Sequence, residues 1–163
     1  MKNSLLLGII FTLFNCQSKV KDHAKELQNQ IDSLKIELSQ TYKPGFGEFM
    51  ANIQVHHSKL WFAGVNGNWK SADFEINEIK ENLEAIQKYI TDRPESELIP
   101  MLLPALDSVA IAIQKQDFLK FKSSFNLLTN TCMNCHRDTK HEFIQIQVPD
   151  KHIFSNQNFE MKD

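Results

Sequence analysis

The chain has 163 residues, with 18 Lys and Arg against 20 Asp and Glu, a formal net charge of −2 and three cysteines. That length supplies one domain with room for a buried core. The balanced charge, without any basic block or cluster, leaves no electrostatic footprint for nucleic-acid binding.

The N-terminus reads as an export signal: Lys2, an apolar run from Leu5 to Phe14, then Cys16. The run is far shorter than the roughly 20 residues a membrane-spanning helix needs. It suits the apolar region of a signal peptide removed on export. Leu13-Phe14-Asn15-Cys16 resembles a lipobox, whose cysteine becomes the acylated first residue of the mature chain, although Asn15 departs from the small residue usual there. The expectation is a signal peptide over 1–15 and a lipid on Cys16, which tethers an exported protein to a bacterial membrane on its periplasmic side. The plainer alternative is an ordinary signal peptide that contains a cysteine.

Residues 16–44 then form a stalk or linker. Val20, Ala24, Leu27, Ile31, Leu34 and Leu38 alternate at steps of four and three, the heptad pattern. With fewer than three heptads, two readings stand side by side: a helical stalk that dimerises through residues 20–38, or an amphipathic helix that frays or lies on the domain. Pro44-Gly45-Phe46-Gly47 breaks the pattern before the domain, 45–163.

Four helical segments follow. The first runs from about Phe46 to Ala63 and ends at Gly64. Asn66-Gly67 turns the chain and delivers Asn68 as N-cap of the second. That helix carries Phe74, Ile79, Leu83, Ile86 and Ile90 on one stripe and stops before Pro94. The third starts at Pro100 or Pro104, where a proline is tolerated, and ends near Gln116, with Leu102, Leu106, Val109 or Ala110, and Ile113 facing inward. Asp117 caps the fourth, along which Phe118, Phe121, Phe125, Leu128, Cys132 and Cys135 form one apolar face. Short connections favour an all-α fold: an antiparallel four-helix bundle with an N-terminal helical stalk and an extended C-terminal tail, where Phe143, Ile144, Ile146 and Val148 pack on the bundle.

Cys132-Met133-Asn134-Cys135-His136 carries the chemistry. Two thiols at this spacing can form thioethers to the two vinyl groups of one porphyrin, and the histidine that follows is held beneath the iron as its proximal ligand. The expected cofactor is one covalent haem c. All three cysteines then have separate fates, lipid for Cys16 and haem for Cys132 and Cys135, with none left for a disulfide. Two other readings of the pair are weaker. A thioredoxin-type redox pair opens a helix after a strand, whereas this one closes a helix. A zinc site using Cys132, Cys135, His136 or His141 has crowded spacing and no second cysteine pair.

A haem-attachment motif on the last helix of a four-helix domain resembles the class II cytochromes c, which include the high-spin cytochromes c-prime and their methionine-ligated low-spin relatives. The resemblance covers roughly Gly45 to His136. The segments His57–Gly64, Gly67-Asn68-Trp69, Phe74-Glu75-Ile76, Lys140–Ile144 and Phe154–Gln157 also resemble a group of small bacterial c-type haem proteins. The resemblance implies that Cys132 and Cys135 anchor the haem and His136 is the fifth ligand. The stalk and the tail after His136 depart from the class II pattern, so the haem edge is not assumed to be as open as in shorter relatives.

Function turns on the sixth iron position, where methionine makes a low-spin electron carrier and an open site binds small gases. Met50, His56, His57, Met101, Met133, His141 and Met161 are candidates. Met50 lies about one turn into the first helix, beside the end of the fourth, and is favoured. His57, seven residues or about 10 Å further along, is the alternative ligand, or a hydrogen-bonded core residue or propionate partner. Met133 points wrongly from within the attachment loop. Lys140 and His141 are either propionate partners or exposed tail residues. Trp61, Phe62 and Trp69 either shield the haem or pack the corner between the first two helices. No paired carboxylates or activated nucleophile suggest an enzyme. The first reading is a membrane-anchored monohaem cytochrome carrying single electrons to and from redox partner proteins of the respiratory chain. The alternative is a five-coordinate haem protein that binds NO or CO in a sensing or protective role.

Overall fold

In the computed structural model, residues 21–38, 41 and 44–160 are described. They belong to two units that meet in sequence between Lys43 and Pro44. In the first unit, residues 21–38 form helix α1, on which the heptad residues Leu27, Ile31, Leu34 and Leu38 are exposed. Cys16, Val20, Met161 and the export signal lie outside the described residues.

In the second unit, α2 (Phe46–Val65) buries Phe49, His57, Leu60, Ala63 and Gly64. Its end is closed by Gly67, in the left-handed region with φ 69°. From there Asn68 N–H bonds Ala63 O at 2.9 Å and Gly67 N–H bonds Gly64 O at 3.1 Å, a Schellman closure that glycine adopts without a steric penalty. Asn68 then caps α3 (Trp69–Tyr89), as its spacing predicts, by accepting from Ser71 N–H at 3.2 Å. The stripe α3 buries is Ala72, Ile76, Ile79, Leu83 and Ile86, together with Glu75. Phe74 does not belong to it and is exposed, because it sits two residues off a face that repeats at steps of three and four.

Of the two expected starts for the third segment, Pro104 agrees with the α-helix and Pro100 does not. A 3-10 segment runs over Pro94–Leu102, and α4 (Leu103–Gln114) continues from it. Pro94 supplies a fixed φ at the start, while Pro100, lacking an N–H, interrupts the ladder that an α-helix would need. Pro104 then falls in the first turn of α4, where its missing donor costs nothing. Pro94–Gln114 is long and apolar enough to cross a membrane. Its Ile99, Leu102, Leu106, Val109 and Ile113 are nevertheless buried in the core of the domain.

Asp117 caps α5 (Phe118–Asp138) by accepting from Lys120 N–H at 2.9 Å. The inward face of α5 is Phe121, Phe125, Leu128 and Cys135; Phe118, expected there, is largely exposed. The helices pack α2 on α3, α4 on α5, α3 on α4 and α2 on α5. Trp61 stacks on Phe121 and tilts against Phe125, and Trp69 meets Phe121 edge-on. Both tryptophans therefore pack the core between α2, α3 and α5. The tail after α5 forms no strand among the described residues. It runs back toward the α2–α3 turn, where Phe159 is buried against Phe62 and its carbonyl accepts from Asn68 Nδ2 at 3.4 Å.

Candidate functional site

Contacts between α2 and α5 step in opposite directions along the two helices. Near one end Gly64 lies against Phe121; a Cβ on that glycine would land in the Phe121 ring. Two turns back along α2, His57 reaches Thr129. A further two turns back, Met50 faces the end of α5 that carries the cysteines, and here the helices part around a cleft of about 450 Å³. That is within the usual range of roughly 300–1,000 Å³ for cofactor pockets. Phe46, Met50 and Ile53 of α2, Ile79 and Leu83 of α3, Leu102 and Leu128 give it apolar walls.

Cys132 and Cys135, one turn apart on α5, both line the cleft, as does His136. Burial, with a smaller contribution from Cys135, pushes the Cys132 thiol up to about 12. Burial, and then the Asp138 charge, also pushes the Cys135 thiol up. Both are protonated at neutral pH, the reverse of the depressed thiol of a redox dithiol. Among the described residues no group of three or more His, Cys, Asp or Glu side chains converges to hold a metal ion.

The end of α5 orients His136. Lys140 takes φ 60°, and across it Lys140 N–H bonds Arg137 O at 3.0 Å and His141 N–H bonds His136 O at 2.6 Å. This closure folds the tail back on the helix end, so that Ile144 O accepts from His136 Nδ1 at 3.0 Å. A neutral imidazole that donates from Nδ1 carries its lone pair on Nε2, the arrangement by which backbone carbonyls set the tautomer of metal-ligating histidines. The same tail supplies His141, Ile144 and Ile146 to the cleft. His141 is tethered in turn, Nδ1 to Thr139 O at 2.7 Å.

Met50 and His57, the favoured and alternative sixth ligands, both line the cleft. His57 is closer to it than its distance along α2 suggests. It is buried and tilted against the Phe125 ring with centroids 4.5 Å apart, and its Nε2 is 2.9 Å from Thr129 Oγ1. Thr129 gives its single hydroxyl proton to Phe125 O at 2.9 Å, so His57 donates from Nε2. Burial lowers its pKa to about 4 and keeps the ring neutral. His141 also lines the cleft, whereas three further candidates are engaged elsewhere. His56 Nδ1 is 2.7 Å from the buried Glu75 carboxylate, Met133 Sδ accepts from Ile146 N–H at 3.4 Å, and Met101 packs against the core. Thr129, Thr139, Arg93 and Glu95 belong to the site but carry no sequence signal, since each is an ordinary surface or helix residue until the fold assembles them.

The donor set fits a covalent porphyrin: two thiols one turn apart, an adjacent imidazole with its Nε2 lone pair available, an apolar cleft and a thioether on the facing helix. The chain matches no family model, no curated protein and no solved structure.

Proposed function

We propose that this protein is a c-type monohaem cytochrome that carries single electrons. The observation that carries the reading is the His136–Ile144 hydrogen bond beside two cleft-lining cysteines. It leaves Nε2 as the uncommitted imidazole nitrogen of a residue that lines the same cleft as both cysteines.

In this reading Cys132 and Cys135 hold haem c through thioethers and His136 is the fifth ligand. When bound, haem supplies a one-electron iron couple; the protein tunes it by ligand and burial. Ile144 O keeps His136 in one tautomer and orientation. The apolar residues of α2, α3 and α5 exclude water, which limits reorganisation when charge changes. Met50 is the sixth ligand, because His57 Nε2 is already committed to Thr129. Only His57 Nδ1, crowded by its own Cβ, is left to approach a metal. His57 instead props α2 on α5. The helix packing supports an antiparallel four-helix bundle, whose open end is the cleft. Export, acylation of Cys16 and a membrane-tethered position on the periplasmic side, facing redox partners of the respiratory chain, complete the reading. The exposed seam of α1 supports pairing of two copies through residues 20–38.

Absorption spectra of the oxidised and reduced protein, beside Met50→Ala, test this. The expected result is a low-spin reduced spectrum and a weak near-infrared sulfur-to-iron band that disappears in the variant. A high-spin spectrum that shifts with CO or NO and ignores the substitution would move the assignment to a gas-binding haem protein.

A further inference from the structure

The cleft is mainly apolar, and Gln54, His57, His136, Thr139 and His141 are among the polar residues that line it. Among the described residues, Arg93 is the single permanently cationic one that lines it and Glu95 the single carboxylate, and both sit where α3 hands over to the 3-10 segment. They form no ion pair with each other, and Arg93 has no side-chain partner among the described residues. Glu95 Oε2 is buried with no hydrogen-bond partner. A buried, unpaired carboxylate oxygen is costly and calls for a missing donor. A bare cation and an orphaned acceptor two residues apart, both on a cofactor cleft, describe a site for a ligand that brings a carboxylate and a carboxylic acid together.

Haem has two carboxyl side chains on one edge. Building on the cytochrome reading, we infer that the turn at residues 93–95 receives that edge, with Arg93 pairing to one carboxylate and Glu95 sharing a proton with the other carboxyl group. Arginine suits the first role because its planar fork matches a carboxylate. Two carboxyl groups in contact raise each other's affinity for a proton, so ionising both is disfavoured and one proton is held between them in the reduced site. The other ionisable groups facing the cleft are His57 from α2, Cys132, Cys135 and His136 from α5, and His141 from the tail; α3 contributes only apolar Ile79 and Leu83.

Charge balance gives this arrangement a consequence. A reduced site carries one more negative charge and holds the shared proton more tightly. Where the oxidised form has lost that proton and the reduced form keeps it, each electron from a donor protein enters with one proton from solvent. Oxidation by an acceptor returns both.

The test is the midpoint potential of the haem-loaded full chain from about pH 5 to about pH 9, which spans carboxyl and histidine titration, beside Glu95→Gln and Arg93→Gln. The wild-type potential should fall with rising pH across part of the range. The limit is a tenfold change in the equilibrium constant per pH unit, 59 mV for one electron. Glu95→Gln should flatten that slope. Arg93→Gln, which removes a positive charge, should lower the potential at about pH 8 by roughly tenfold in the same constant. Redox-difference infrared spectra of the wild type give a readout that needs no variant to fold: reduction should raise a protonated-carboxyl carbonyl band that shifts in D₂O. A slope unchanged in Glu95→Gln, a flat wild-type profile or absence of the band would overturn the inference while leaving the cytochrome reading intact. Failure of the wild type to carry covalent haem would overturn both.

Discussion

The same two helices, α2 and α5, meet in opposite ways at their two ends. At the Gly64 end the backbone of α2 lies on the Phe121 ring, with no room for a Cβ. At the Met50 end they stand apart around about 450 Å³. Between them the His57–Thr129 hydrogen bond, 2.9 Å long and buried, acts as a spacer. Close packing at one end and a buried polar strut in the middle hold the other end open, so the cleft is built into the scaffold rather than left by poor packing. Stability should accordingly be concentrated away from the cysteines.

The largest effect should come from emptying the tight end. Phe121 is fully buried, and Phe121→Ala should cost about 3–5 kcal/mol in urea unfolding; a loss as small as that of a surface substitution would contradict the comparison. The strut should show in the pH dependence of stability. His57 titrates at about 4 in the folded chain, lowered by burial, against about 6.5 when unfolded. The unfolded state therefore binds the proton first as pH falls. The contribution is fully present above about pH 6.5 and is lost progressively down to about pH 4, about 3 kcal/mol in all. Unfolding free energies across that window check it, and His57→Gln should remove that part of the slope.

Overfilling the tight end is the next step down. Gly64→Ala drives a methyl group into the Phe121 ring and should cost about 1–3 kcal/mol. The smallest effect compares the two helix closures. Gly67 and Lys140 occupy the same left-handed position after α2 and α5, but only Lys140 carries a Cβ there. Lys140→Gly should stabilise the chain by about 1 kcal/mol in thermal unfolding, whereas Gly67→Ala should destabilise it.

These closures also mark how far the sequence can be read. Asn66-Gly67-Asn68 announces its turn and cap because glycine and asparagine have local reasons to be there. Asp117 announces the start of α5 in the same way. Gln116 and Lys140, both at positive φ, announce nothing, since the backbone closures at the ends of α4 and α5 hold them in a conformation their side chains disfavour. Lys140 is the costlier omission: its turn is what brings Ile144 back to His136, so the orientation of the proposed iron ligand depends on a residue without a signal. The third segment was blurred by its prolines, since Pro100 and Pro104 mark a helix start equally well. Cys132, Cys135 and His136 were legible as a motif. The Arg93 and Glu95 rim was not, because it exists only once the α3–α4 connection folds over the cleft.

A covalent haem on α5, held in the open end, is tested most directly by the intact mass of the full chain, expressed in cells competent in cytochrome c maturation, beside Cys132→Ala and Cys135→Ala. One haem should be added to the wild-type polypeptide and resist acid–acetone extraction, and each variant should lose the two-thioether product. A wild-type mass without haem, or a two-thioether product that survives either substitution, would contradict it.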